Sequence, residues 1–283
     1  MLESDAGFVL RRSILFVPGD DRKKIERARN TAADTLILDL EDAIPPEGKD
    51  EARQCVREEL QKGGEDSQEV AVRINPPGTP FFDADVELLR TNPGTTCMVP
   101  KSERVAAITS LAGALAKETA LLLLIETPRG VADALSIGEA APAVQALCFG
   151  HADFSLEMGL RGAEVTNPVV HHARASLAIS ARANRLAPID CVYLDVRDDE
   201  GFCNDTQLGL SLGYEGRLCI HPRQVELANE IYTPTPDQLE YAKRVVEAFD
   251  QAEGSGVITV DGKMIDAPVV AQQRGVLARA AKL

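Results

Sequence analysis

Two carboxylates set the chemistry open to this chain. Glu126 follows the five apolar residues of LLLLI, and Pro128 stops the strand just beyond it. Asp153 closes the run ALCFGHAD, with Gly150 allowing a close backbone approach. An ionised carboxylate at the end of a buried strand needs a partner or a cation. Two of them on adjacent strand ends, with water filling a six-coordinate shell, form the hard-oxygen arrangement that Mg2+ prefers. The structural alternative pairs Glu126 with Arg129 and uses Asp153 as a helix cap.

Arg73 stands in VRIN between apolar neighbours. A guanidinium there offers a bidentate fork to a substrate carboxylate or carbonyl oxygen. Its structural alternative is a salt bridge to Glu41 or Asp42, and both roles are compatible. In LDLEDAIPP, Glu41 and Asp42 precede Pro45-Pro46, and Asp39 shares a strand face with Glu41. Glu41 and Asp42 are expected to hold Arg73 or metal-bound water, or else to shape a turn. The segment LFVPGDDRKKIERA joins a strand, a glycine turn and a basic helix start. Arg22 and Lys23 are its candidates for binding an anionic cofactor, whereas Lys24 and Arg27 fit a solvated helix face. His151 either touches the site or lies in a loop, and His171, His172 and His221 read as packing or surface residues. Their spacing suits no zinc site.

The elements that must position these groups alternate regularly. Strand-like apolar runs fall at 13–19, 35–42, 69–75, 95–101, 120–127, 146–153, 189–198 and 216–222, separated by segments of helical period. Such alternation predicts right-handed βαβ units and a parallel sheet covered on both faces. Eight strands predict closure into a (β/α)8 TIM barrel, with an open doubly wound sheet as the alternative. In a barrel, the polar strand ends Glu41-Asp42, Arg73-Asn75, Lys101, Glu126, Asp153, Asp195 and His221 converge on one face. The predicted catalytic domain spans 1–253. A C-terminal extension, 254–283, holds an Asp-Gly turn signal and a last helix at 269–281, and it is too small to fold alone.

The 283 residues are 45% hydrophobic and 26% charged, with a formal charge of −14. That charge repels polyanions, which argues against nucleic-acid and anionic-membrane partners. No apolar run has the length of an export signal or a membrane span. Six cysteines without a C-x-x-C pair point to a reduced, cytoplasmic protein.

The pieces RRSILFVPGDDRKKIERA, LILDLEDAIPPEGKDEAR, VRIN, VPK, IETPRG, FGHADFS, GYEGRLCIHPRQ and GKMIDAPVV resemble, in order, the citrate lyase β-subunit-like branch of the HpcH/HpaI aldolase family. The resemblance implies a TIM barrel, commonly a homotrimer, with Mg2+ on Glu126 and Asp153. It implies that Arg73 grips the keto-acid end of the substrate. The loop after the first strand would take CoA or the CoA-like arm of an acyl carrier protein, with Arg22, Lys23 and Phe16 as its contacts. Asp266, in GKMID, would reach the site of a neighbouring subunit and move a proton. The implied reaction is cleavage of malyl-, citramalyl- or citryl-CoA to acetyl-CoA and a 2-oxo acid. Three alternatives stay open: a thioesterase on the same site, a β subunit that works only with partners, and a CoA-independent aldolase. The basic loop and the GKMID tail weigh against the last.

Overall fold

Every second residue of a barrel strand points inward, so the interior can be read directly from the packing. Ile14, Ile37, Ala71, Met98, Leu122, Leu124, Ala146, Cys148, Ile189 and Leu218 form one buried cluster, one or two from each strand. The strands are β1 (Ser13–Pro18), β2 (Thr35–Asp39), β3 (Glu69–Arg73), β4 (Thr96–Val99), β5 (Leu121–Ile125), β6 (Val144–Phe149), β7 (Ala187–Asp190) and β8 (Gly216–Cys219). In this computed structural model they pair in parallel, in sequence order, and β8 closes on β1. The structure describes residues 9–62, 68–162, 166–252 and 256–283. The expected TIM barrel is present, and the open sheet is excluded by the β1–β8 pairing. β2 and β5 are buried at every position, as strands covered on both faces must be.

Local signals explain where the helices begin. Asp21 accepts from the Lys24 N–H to start Arg22–Arg29, Thr127 precedes Pro128 in Pro128–Ala132, and Asn167 precedes Pro168 in Pro168–Ala183. Each side-chain oxygen satisfies an N–H that the helix itself leaves unpaired. The strands end earlier than the apolar runs suggest. The run at 189–198 is a strand only to Asp190, because the Asp190 carboxylate accepts from the Cys191 N–H and turns the chain away. Asp195 therefore lies in an exposed loop, not at a strand end. Asp153 is likewise not a strand residue: it stands in the first turn of the helix His151–Glu157.

Asp190 belongs to a buried ionic cluster outside the barrel wall. Arg174 donates to Asp190 (Nε to Oδ1, 2.8 Å) and to Asp205 (Nη1 to Oδ1, 2.7 Å). Arg217, on β8, donates to Asp205 Oδ2 at 2.6 Å and lies 4.9 Å from the Phe202 ring centre. Two cations and two anions thus tie the helices Pro168–Ala183 and Asp199–Ser211 to β7 and β8.

The chain divides into two compact units, Arg11–Glu230 and a second built on Ile231–Leu283. In the second, the helix Pro236–Gln251 opens with a capping box between Thr235 and Gln238. β9 (Val257–Val260) and β10 (Lys263–Asp266) form an antiparallel hairpin, and the helix Ala267–Ala280 follows. Asp261 and Gly262 both have positive φ, 49° and 74°, as the Asp-Gly signal for a two-residue hairpin turn requires. Val245, Ile265 and Val270 form this unit's buried cluster. The expected domain boundary at 253/254 falls outside the described residues.

Removing Asp205 leaves Arg174 and Arg217 buried with Asp190 as their remaining acid. Asp205→Ala should therefore cost about 3–5 kcal/mol, measured by urea denaturation. An unchanged midpoint would show that the cluster contributes little.

Candidate active site

Extending the inward-facing rows by one layer places the polar residues at the barrel mouth. Asp39 stands two residues beyond Ile37, Arg73 beyond Ala71, Glu126 beyond Leu124 and Gly150 beyond Cys148, so all four share the top interior layer. The β2–β3 register sets Asp39 directly opposite Arg73. Arg73 donates from Nε and Nη2 to the two Asp39 oxygens, both at 2.7 Å, in a parallel fork. The same carboxylate accepts from the backbone N–H of Glu41 (2.9 Å) and of Ala43 (3.1 Å). Four donors thus satisfy a residue that is 2% exposed.

Glu41 Oε2 lies 2.8 Å from Arg73 Nη1 as an ion pair, although the approach is off the line of a hydrogen bond. Asp42 is more distant, at 3.6 Å, and mostly exposed. Glu41 and Asp42 therefore do gather on Arg73, while the fork itself belongs to Asp39, whose pairing only the register discloses. Phe16 lies beneath the guanidinium, its ring centre 4.9 Å from Cζ. Two of the five guanidinium N–H groups are spent in hydrogen bonds to Asp39, and Nη1 faces Glu41 and Asp42 as an ion-pair partner. The loop carrying Glu41 is braced by Lys49. Its buried ammonium donates to the carbonyls of Leu40 and Glu41 (2.7 Å each) and to Asn75 Oδ1 (2.8 Å).

Glu126 is 3% exposed. Its Oε1 accepts from the Lys101 backbone N–H at 2.8 Å, and no donor among the described residues reaches Oε2. Gly150 leaves the space this carboxylate fills, because a Cβ there would lie 2.4 Å from Glu126 Cβ and 2.7 Å from Oε2. Asp153 Oδ1 accepts from Lys101 Nζ at 2.8 Å. Neither structural alternative is realised: Arg129 pairs with Asp133, and Asp153 caps no helix. Lys101, given no role by its position in the sequence, joins the two carboxylates. Its φ is positive, 47°, a conformation that lysine does not signal as a residue type.

Burial is the main cause that pushes the Glu126 carboxyl up to about 7, with the Lys101 N–H pulling down and Asp153 pushing up. Burial likewise pushes Glu41 up to about 8, against the pull of Arg73. His151, 1% exposed, is pushed down to about 4 by burial and then by Arg217, so it is neutral at pH 7. Two carboxylates with a free oxygen, at the open end of a barrel, fit a hard divalent cation whose other ligands are water or substrate. No group of three or more His, Cys, Asp or Glu side chains placed to hold a metal ion occurs among the described residues, the mouth included, so the protein would supply two carboxylates and no third side chain.

Arg22 begins its helix exposed and paired with Glu58, and Lys23 is exposed beside it. His171 and His172 lie on the helix Pro168–Ala183, and His221 is exposed. Asp266 caps the helix Ala267–Ala280, accepting from the Val269 N–H at 3.2 Å.

A closed parallel barrel with acids and an arginine converging at its C-terminal mouth defines an enzyme of the barrel class. The HpcH/HpaI aldolase/citrate lyase family matches residues 12–222, and the chain belongs to that family, one of oxo-acid lyases. It is 33% identical over 280 residues to the citrate lyase subunit β of Leuconostoc mesenteroides subsp. cremoris, covering 95% of this chain and 92% of that one. It is 34% identical over 274 residues to the (3S)-malyl-CoA thioesterase of Cereibacter sphaeroides (strain KD131 / KCTC 12085), covering 95% and 94%. Among solved structures, protein CitE from Mycobacterium tuberculosis in complex with magnesium, acetoacetate and coenzyme A superposes with a TM-score of 0.81. That pair is 30% identical, over 96% of this chain and 98% of the other. No helix among the described residues is long and apolar enough to cross a membrane.

The raised Glu41 carboxyl has a consequence for stability. Folding tightens its hold on the proton, from an ordinary 4.5 to about 8. Its contribution is therefore whole below about pH 4.5 and is lost as the pH rises towards 8. Glu41→Gln, which cannot ionise, should gain in Tm over the parent as the pH rises from 5 to 8. A Tm difference equal at both ends would contradict that burial cost.

Proposed function

We propose that this chain is a Mg2+-dependent carbon–carbon lyase that cleaves a 3-hydroxyacyl-CoA thioester of the malyl, citramalyl or citryl type to acetyl-CoA and a 2-oxo acid. The observation that carries the reading is the Glu126–Asp153 pair, with a donor-free carboxylate oxygen, together with an arginine that keeps N–H groups outside its fork with Asp39. The magnesium and coenzyme A named with the related CitE structure support it. Glu126 and Asp153 would hold the Mg2+. Bound there, it would supply Lewis-acid stabilisation of the oxygens of the oxo-acid fragment.

Arg73 binds the oxo-acid end through N–H groups that the Asp39 fork does not use. Asp39 and Phe16 hold the guanidinium plane, so the donors are aimed before substrate arrives. In cleavage, the substrate hydroxyl gives its proton to solvent water at the open mouth, and its oxygen becomes the carbonyl of the 2-oxo acid. The carbon–carbon pair passes to the thioester fragment as an enolate, which takes up a proton to become acetyl-CoA. Asp266 of a neighbouring copy is the proton donor in this reading, on the strength of the GKMID match. Arg22 and Lys23 would meet the phosphates of CoA, and the assembly would be a homotrimer in the cytoplasm.

A second reading has specific support, because the Cereibacter sphaeroides relative is named a (3S)-malyl-CoA thioesterase. Hydrolysis would use the same constellation with water as nucleophile. The Leuconostoc relative is named a subunit of citrate lyase, which supports a third reading, a partner-dependent subunit; in it an acyl-carrier-protein thioester would replace free CoA.

A panel of 3-hydroxyacyl-CoA thioesters with Mg2+, assayed for 2-oxo acid and for free thiol, separates these functions. The lyase should release 2-oxo acid with acetyl-CoA intact, and Glu126→Gln should lower kcat by at least about a hundredfold. Free thiol alone would make the protein a hydrolase. Inertness towards free CoA thioesters combined with turnover of a carrier-protein thioester would make it a partner-dependent subunit.

Asp266→Ala should abolish turnover while preserving thioester binding by calorimetry. Mixing it with Glu126→Gln protein under subunit exchange should restore part of the activity. An unchanged kcat in the alanine variant would remove Asp266 from the proton transfer.

A further inference from the structure

Lys101 is the residue of the mouth that the proposed reaction leaves without a task. It follows Pro100 beyond β4 and holds φ at 47°, in the left-handed region. An L-residue with a side chain is strained there, and such strain persists where the surroundings over-determine it. Here they do. The next residue, Ser102, donates its N–H to Leu124 O at 3.1 Å and its hydroxyl to Val99 O at 2.9 Å, so the loop is stitched to both flanking strands. Gly130 packs against the Ser102 carbonyl so closely that a Cβ would come within 2.8 Å of it.

That conformation lets one residue reach both carboxylates by different means. The Lys101 N–H, fixed by the backbone, donates to Glu126 Oε1 at 2.8 Å. The ammonium, at the end of a flexible stem, donates to Asp153 Oδ1 at 2.8 Å. The two contacts differ in permanence. The Glu126 carboxylate is buried, whereas the Lys101 and Asp153 side chains are 37% and 35% exposed, so water reaches their ion pair. A rigid arm and a releasable arm meet at the same pair of acids.

We propose that Lys101 is a positioning residue that serves as the site's resident monovalent cation: its ammonium balances Asp153 in the metal-free protein and yields that oxygen to the entering divalent ion, while its N–H keeps Glu126 aimed. This rests on the reading that Glu126 and Asp153 hold the metal. Without the ammonium, Asp153 would lose the cation that joins it to the loop holding Glu126. With it, the mouth keeps its shape before metal arrives, and the divalent ion must compete for Asp153. The competition weakens metal binding. A half-exposed ion pair contributes about 0.2–1 kcal/mol, which corresponds to roughly a one-and-a-half- to fivefold change in affinity.

The test is titration with Mn2+, followed by the electron paramagnetic resonance of the free ion, on the parent, Lys101→Met, Lys101→Arg and Glu126→Gln proteins. Lys101→Met should bind Mn2+ about two- to fivefold more tightly than the parent and show a larger metal-induced rise in Tm. Lys101→Arg, which keeps the charge, should bind as the parent does. Equal or weaker binding by Lys101→Met, with the parent and the arginine variant saturating normally, would overturn the exchange and leave the metal assignment standing. Tighter binding in the arginine variant would overturn it too, because charge would then not be the cause. No binding by the parent, or full binding by Glu126→Gln, would sink the metal reading and this inference together. Should the methionine variant fail to fold, Lys101→Gln is the replacement, with the same expected result.

Discussion

The fork between Arg73 and Asp39 is the interaction on which the mouth of this barrel depends. It crosses from β3 to β2 at facing register positions and closes a parallel pair of 2.7 Å hydrogen bonds in a buried setting. Burying two charges costs several kcal/mol each unless their geometry and remaining hydrogen bonds compensate. Asp39 meets that condition by accepting two further backbone N–H groups from the loop that follows it. The pair therefore does two jobs. It orients the guanidinium, and it folds the segment that carries Glu41 and Asp42 back over it.

A wider set of polar contacts supports this geometry. Asp85 accepts from the Asn75 backbone and side chain and from Arg53, Asn75 accepts from Lys49, and Lys49 donates to the carbonyls at 40 and 41. The chain of contacts runs from helix to strand end to loop without reaching solvent. Such networks are rigid when every member is satisfied, and costly when one is not. The cluster around Arg174 and Arg217 follows the same rule on the outer side of the wall, where it fixes helices and not reactive groups.

The sequence discloses the barrel well because its strands are short apolar runs separated by helical segments, and each run has its counterpart in the closed sheet. Glu126 and Arg73 are legible for a related reason: a charge at the end of an apolar run is conspicuous. Asp39 is not, since its partner is chosen by the register between β2 and β3, a relation between distant segments. Asp153 reads as a strand residue because HAD continues the apolar run, whereas the chain enters a helix at His151. Gly150 explains itself only when a Cβ is set against Glu126. Lys101 is the least legible, because a left-handed lysine looks like any other lysine until its backbone is seen. In the second unit, by contrast, Asp261-Gly262 announces its turn outright.

The closure between β1 and β8 carries a consequence for how the chain reaches this state. Ser13 pairs with Arg217, and its hydroxyl donates to Asn229, so the two ends of the barrel sequence meet only when everything between them is in place. Contacts between such remote segments require the chain entropy of a very long loop to be surrendered before they return anything. A nascent chain lacking β8 would expose the unpaired edge of β1 until synthesis had passed that strand. The mouth, assembled from β2 to β6, can take shape earlier than the ring that encloses it, and the final strand acts as the latch.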